Sequence, residues 1–386
     1  MVYDVIVIGL GAMGSAAVYH LAQRGVRVLG IDRHTPPHDF GSSHGKSRVI
    51  RQAYMEGESY VPLVLRAYEL WRDLERASGA ELLTETGGLM IGAPDSTAIC
   101  GSSASARAHG LDHTILDAAQ IRRQFPPLHV PDGFMALYER AAGFLRPEQC
   151  VRAHLDLARR HGAALHFGEP VLRYEAAAGG EGVRVVAPRG VYEAGRLIIA
   201  PGVWATELLA ELALPLQIVR HTLFWFDPIG GEAPFAADRF PIYIWEVDAA
   251  TAFYGFPAQP GAPGGVKVAF HTGGTPEDSP DETDETAVAA EADAMRAVLR
   301  ARIPALGGRL RAAVTCRYTM TPDEHFIIGP HPQHAQVLIA SPCSGHGFKF
   351  SAAIGEALAD LAQGIPPRCD LTMFGVGRFG PAKEQQ

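Results

Sequence analysis

The hexapeptide Gly9-Leu10-Gly11-Ala12-Met13-Gly14 has three glycines at the spacing a dinucleotide pyrophosphate requires. The first permits a tight turn, the second a close backbone approach to the phosphates, and the third close packing of a helix on its strand. The helix opening there offers free N–H groups and the positive end of its dipole to an anion. Asp32 lies eighteen residues beyond Gly14, where a carboxylate can accept hydrogen bonds from ribose hydroxyls. Together these residues predict a bound dinucleotide without separating FAD from NAD.

A second glycine-rich loop, Ser344-Gly345-His346-Gly347, is followed by Phe348 and Lys349 and falls between an apolar strand and a helix. A helix N-terminus and an ammonium there suit the negative charge that a reduced flavin carries near N1 and the C2 carbonyl. The competing reading is a helix cap with a surface lysine. Taken alone, Cys316 reads as a buried thiol, Arg51 as one half of a salt bridge and Lys267 as a solvated strand residue.

Read with four further blocks, the loop gains a context. These are Gly41-Ser42-Ser43-His44-Gly45-Lys46-Ser47-Arg48-Val49-Ile50-Arg51, Tyr254-Gly255-Phe256-Pro257, the pair Lys267 and His271, and Cys316-Arg317-Tyr318-Thr319-Met320-Thr321-Pro322-Asp323-Glu324-His325-Phe326. In this order and spacing the sequence resembles, over almost its whole length, the family of monomeric sarcosine oxidase, N-methyltryptophan oxidase and pipecolate oxidase.

The resemblance implies FAD as cofactor, joined by a thioether from Cys316 to the flavin 8α-methyl, for which nearby cations would favour the thiolate. It implies a clamp of Arg51 and Lys349 on a substrate carboxylate, Arg48 and His44 close to the flavin ring, and Tyr254, His271 and Tyr318 around the substrate amine. Lys267 resembles the lysine at which oxygen reacts, where its charge would stabilise developing superoxide. Gly9, Gly11, Gly14, Asp32, Ser43, Gly345, Gly347 and Lys349 complete the expected cofactor contacts. The implied reaction is hydride transfer from a secondary amino acid to flavin N5, imine hydrolysis and release of hydrogen peroxide. The substrate would be sarcosine, another N-methyl amino acid or a cyclic one such as pipecolate or proline. No catalytic base is required if the pocket keeps the amine neutral by desolvating its ammonium.

Departures bear on the substrate. Ser43 stands where the sarcosine and N-methyltryptophan oxidases have a second histidine, Lys46 where they have an acid, and Cys343 where an aromatic is usual. The Gly-Ser-Ser-His-Gly-x-Ser-Arg form is closer to pipecolate oxidases. Trp245 is placed either in the pocket or in the core. The rival readings are a dehydrogenase passing electrons to a protein or quinone, an NAD-dependent reductase, and a non-catalytic flavin-binding subunit.

The elements that must hold these residues follow from the apolar pattern. Val5 to Ile8 reads as a buried parallel strand, residues 12–24 as a helix and Val26 to Ile31 as a second strand. Further helices are expected from about Pro62 to Arg76, from Pro147 to His161 and from Phe348 to about Gln363. Short strands and turns are expected over 80–145, a β-meander over 164–199 and more strands over 216–272.

The predicted fold is α/β (α+β overall), with a Rossmann-type FAD-binding domain (1–80, 146–215 and 316–386) interleaved with a β-rich substrate domain (81–145 and 216–315). The 386 residues are 47% apolar and 20% charged with a net charge of −8, which fits a globular enzyme and offers no basic stripe for nucleic acid. No apolar run reaches the roughly 18 residues that span a bilayer, and the reading expects a cytoplasmic monomer acting on a small amine and O₂. The five cysteines are scattered and form neither a disulfide framework nor a zinc site. The pairs His34/His38 and His331/His334 lack further ligands at metal spacing, so no metal is expected.

Overall fold

Continuous apolar runs build the central sheet. Val5 to Ile8 and Val28 to Ile31 are buried almost completely, as strands covered on both faces must be. A computed structural model describes residues 2–177, 180, 182–281, 288–341 and 344–380. In it, strand Val2–Ile8 pairs in parallel with Val28–Ile31 on one side and Gly190–Ile199 on the other. Ala164–His166 and Val337–Ser341 extend the parallel part. Arg173–Ala176, Val183–Ala187 and Ile327–Pro330 add antiparallel strands, making eight in all.

The helices of the described residues are α1 (Ala12–Gln23), α2 (Val61–Ser78), α3 (Thr97–Ala108), α4 (Ala118–Gln124), α5 (Pro147–Arg160), α6 (Ala205–Leu208), α7 (Val288–Arg302) and α8 (Ser351–Ala362). α1 packs between α5 and α8. At the α1–α8 crossing a Cβ on Gly355 would lie 2.4 Å from that of Ala16, so only glycine allows this approach.

A second, nine-stranded sheet carries Tyr254, Lys267, Cys316 and Tyr318. Its spine is the pairing of Gln217–Phe226 with Leu310–Met320, which sets His221 opposite Cys316. Val266–Phe270, Ala252–Gly255 and Ile242–Glu246 follow in antiparallel order. Gly88–Gly92 then joins Ile242–Glu246 in parallel and leads to Met135–Glu139 and Thr114–Asp117. Strand Thr275–Glu277 closes the opposite edge. A small sheet of Arg48–Ile50, Gly143–Leu145 and Leu83–Glu85 stands beside it.

The structure departs from the sequence-based expectation at four places. Residues 80–145 contain α3 and α4, not only strands and turns. In α3 Thr97, Cys100, Gly101 and three serines dilute the helix-favouring alanines and blur its pattern, but the Ser96 side chain caps Ile99 N and its buried face packs on Gly88–Gly92. α4 opens on a capping box of Asp117 and Gln120. The expected meander begins with Ala164–His166, which pairs in parallel with Val28–Ile31 instead of with its successor. The last helix starts at Ser351, after a 3-10 turn over Phe348–Phe350. Strand Leu310–Met320 also runs across the boundary expected between residues 315 and 316.

Candidate active site

The 9–14 turn has the form its glycines require. Gly9 sits at φ +84°, and a Cβ there would lie 2.2 Å from the Ala200 carbonyl oxygen. A Cβ on Gly14 would lie 1.8 Å from the Gly9 carbonyl oxygen, which fixes how closely α1 meets its strand. Ser43 Oγ accepts from Ala12 N at 3.1 Å and leans over Gly11. Asp32 braces the same turn, since Oδ2 accepts from Leu10 N at 2.7 Å and Oδ1 from His34 N at 2.8 Å. Burial raises its pKa although both hydrogen bonds oppose this. Each oxygen keeps acceptor capacity for a ribose hydroxyl.

From this turn a single cavity of about 390 Å³ runs between the two sheets. Gly9, Gly11, Asp32 and Ser43 line one end, and Gly345, Gly347 and Lys349 line the other. Gly345, at φ +76°, brings backbone so close that a Cβ would lie 2.6 Å from the Tyr318 ring. Turn, carboxylate and second loop on one elongated cavity fit an extended FAD.

Cys316 lines the cavity wall and is buried. Arg48 Nη2 lies 3.2 Å from its sulfur and is held there by the Ser42 carbonyl, while Nη1 donates to Ser47 O. Tyr254 and Tyr318, on neighbouring walls, are hydrogen-bonded to each other through their hydroxyls. Burial raises the pKa of both, so they stay neutral hydrogen-bonding groups. His271 meets Tyr254 edge-on, with ring centroids 6.2 Å apart, and burial holds its imidazole neutral at pH 7.

Two cations complete this end. Arg51 is 1% exposed and donates through Nη1 to Ala53 O at 2.9 Å. Its Nη2 is 2.5 Å from Glu56 Oε2. Arg51 Nε and Glu56 Oε1 are buried with no partner, so the pair keeps unused bonding capacity. Burial alone would raise the Glu56 pKa, but Arg51, His346 and Lys349 outweigh it and hold it at about 2. Burial, reinforced by Arg51, pushes Lys349 down to about 7 despite the attraction of Glu56.

Three expected site residues, Lys267, His44 and Gly14, do not line this cavity. Lys267 Nζ donates to Gly45 O at 2.7 Å and Ser47 O at 2.8 Å, on the far side of the 45–47 turn. There it borders a second cavity of about 470 Å³, shared with Lys46, Arg146 and Glu148. Burial and Arg48 lower its pKa well below the usual lysine range. His44 is packed behind the wall with Nε2 3.0 Å from Gly41 O, and burial with Arg48 and Lys267 lowers it to about 3. Gly14 acts through helix packing rather than as lining. Cys343 lies outside the described residues.

Trp245 belongs to the core. It stacks on Phe253 with Arg302 across its ring, and its neighbour Ile244 lines the cavity instead. Sequence reasoning missed Glu56, Tyr54, His346 and Ile244. The first two follow Arg51 closely, and an acid five residues past an arginine was the available signal. His34 and His38 form an aromatic cluster with Phe40 and Trp204 beside the cavity. Among the described residues, no helix is long and apolar enough to cross a membrane.

With this geometry in hand, the likeness to known proteins becomes specific. The chain is 49% identical over 382 residues to the monomeric sarcosine oxidase of Streptomyces avermitilis, covering 99% of this chain and 97% of that one. It is 39% identical over 382 residues to the N-methyl-L-tryptophan oxidase of Citrobacter koseri, covering 98% and 100%. Its fold matches the open form of NikD, an unusual amino acid oxidase essential for nikkomycin biosynthesis, with TM-score 0.82, 27% identity and 97% of both chains covered. Residues 4–361 match the family model described as FAD dependent oxidoreductase. The chain belongs to the FAD dependent oxidoreductase family, and it is an enzyme of the sarcosine oxidase type acting on a CH–NH group.

Proposed function

We propose that the enzyme oxidises secondary amino acids, with N-methyl amino acids such as sarcosine first among them and cyclic ones such as L-pipecolate next, and uses O₂ as acceptor. The observation that carries this is the pair of buried cations, Arg51 and Lys349, beside Tyr254, His271 and Tyr318 on the cavity that fits FAD. Bound to this cavity, FAD would supply the acceptor for a hydride from the carbon next to nitrogen and the two electrons that, with two protons, convert O₂ to hydrogen peroxide.

The chain's own residues do the rest. Arg51 and Lys349 hold the substrate carboxylate, the planar fork giving orientation and the ammonium charge. Arg51 is engaged by Glu56 in the structure, so the substrate carboxylate shares or displaces that contact. Tyr254, Tyr318 and neutral His271 surround the amine in a buried setting that favours its uncharged form, as hydride loss requires. Cys316, with Arg48 beside its sulfur, is the residue to form a thioether with the flavin. In its ammonium form, Lys267 would supply positive charge to the oxygen reaction from behind the 45–47 turn. The division into an FAD-binding and a substrate unit belongs to this reading, with strand Leu310–Met320 shared at their junction.

A peroxide assay across sarcosine, N-methyl-L-tryptophan, L-pipecolate, L-proline and D-amino acids tests the proposal. Peroxide is expected with at least one of the secondary L-amino acids or sarcosine. Substrate turnover without peroxide would instead make the enzyme a dehydrogenase with another electron acceptor.

A further inference from the structure

Tyr54 is fully buried and stands between the two cations. The Arg51 guanidinium carbon lies 4.3 Å from its ring centroid. Lys349 Nζ is 3.3 Å from the Tyr54 hydroxyl and 5.1 Å from its ring centroid. That hydroxyl is also 2.5 Å from His346 Nδ1.

The Glu324 carbonyl sets the direction of these hydrogen bonds. His346 Nε2 is 3.0 Å from the Glu324 carbonyl oxygen, which can only accept, so Nε2 carries the proton. In a neutral imidazole Nδ1 is then an acceptor and Tyr54 donates to it. The Tyr54 oxygen therefore turns its lone pairs to Lys349. Of the three ammonium protons, one goes to His346 O at 2.6 Å and one to Tyr54, leaving the third for a ligand.

We infer that Tyr54 is the positioning residue of the carboxylate clamp: its ring face holds Arg51 and its hydroxyl, oriented by His346, aims Lys349. The inference rests on the reading of Arg51 and Lys349 as that clamp. It implies that Tyr54 acts on ligands only through their negative charge. Neutral ligands of the same shape do not depend on its hydroxyl.

The test is a double-mutant cycle on the flavin-loaded enzyme, reading the change in flavin absorbance on titration with acetate and with its neutral isostere acetamide. Tyr54→Phe, which keeps the ring, is expected to weaken acetate about tenfold, the effect of one charge-assisted hydrogen bond, and to leave acetamide unchanged. With a substrate amino acid, KM rises while kcat changes little. In a Lys349→Met background Tyr54→Phe has no further effect on acetate. Equal losses for acetate and acetamide, or additive losses in the double variant, would overturn the role of Tyr54. If Lys349→Met leaves acetate affinity intact, the clamp reading itself fails, a separate outcome. Melting temperature and flavin content, compared across the four proteins, tell misfolding from repositioning, and Tyr54→Trp, which retains a ring for Arg51 but no matching hydroxyl, should repeat the acetate-selective loss.

Discussion

Carboxylate affinity should depend on pH through Lys349 alone between pH 6 and 9. Burial and Arg51 set its ammonium at about 7, while Glu56 at about 2 and His346 at about 3 keep one charge state across that range. Below pH 7 the lysine is already charged, so acetate binds with constant affinity. Above pH 7 binding must take up a proton, and each pH unit costs about a factor of ten by linkage. The bound carboxylate adds one charge-assisted hydrogen bond of about 1.5–3 kcal/mol, which raises the lysine pKa in the complex by roughly 1–2 units. The decline therefore levels off between about pH 8 and 9, after a loss of about 10- to 100-fold. Titrating the flavin spectrum with acetate across this range measures the curve directly. Lys349→Met should show the weak, high-pH affinity throughout, and acetamide should show no dependence at all. A flat acetate profile in the unmodified enzyme would refute the assignment of Lys349 to the clamp.

Other consequences follow from the same geometry. Cys316→Ser should release flavin into the supernatant on acid precipitation, whereas the unmodified enzyme keeps it in the pellet; colour in both supernatants would end the thioether proposal. Lys267→Met should slow reoxidation by O₂ far more than anaerobic reduction by substrate, read by stopped-flow absorbance, and equal slowing of both steps would count against its role. Gly345→Ala forces a side chain into φ +76° against the Tyr318 ring, costing at least about 1–2 kcal/mol; lowered flavin occupancy and melting temperature are expected, and an unaltered protein would contradict the close approach.

Much of the site was legible because its signals are local. Glycines at 9, 11 and 14 after a buried strand, with Asp32 closing the next, fix a turn by steric rules that act over a few residues. Cys316, Arg48 and Arg51 were found only through the resemblance, since nothing local distinguishes them from ordinary buried or paired residues. The choice between Trp245 and Ile244 depends on which face of one strand meets the cavity, and a period of two cannot say which face that is. Lys267 was singled out through the resemblance, and its place behind the 45–47 turn reflects the pairing of Val266–Phe270 with Gln217–Phe226, a contact between distant segments. Glu56 and Tyr54 escaped notice because they lie in a loop whose conformation is set by Arg51 and the 344–349 segment together. α3 stayed hidden because its serines, Thr97 and Gly101 offset its alanines, leaving packing on Gly88–Gly92 to decide.

This chain is expected to oxidise a secondary amino acid through its flavin. Mixing the yellow enzyme anaerobically with sarcosine, N-methyl-L-tryptophan and L-pipecolate, then admitting O₂, tests it most directly. Bleaching of the flavin by at least one of them, with colour regained on aeration and peroxide formed in equal amount, is the predicted result. A flavin that stays fully oxidised with every amine would contradict the account.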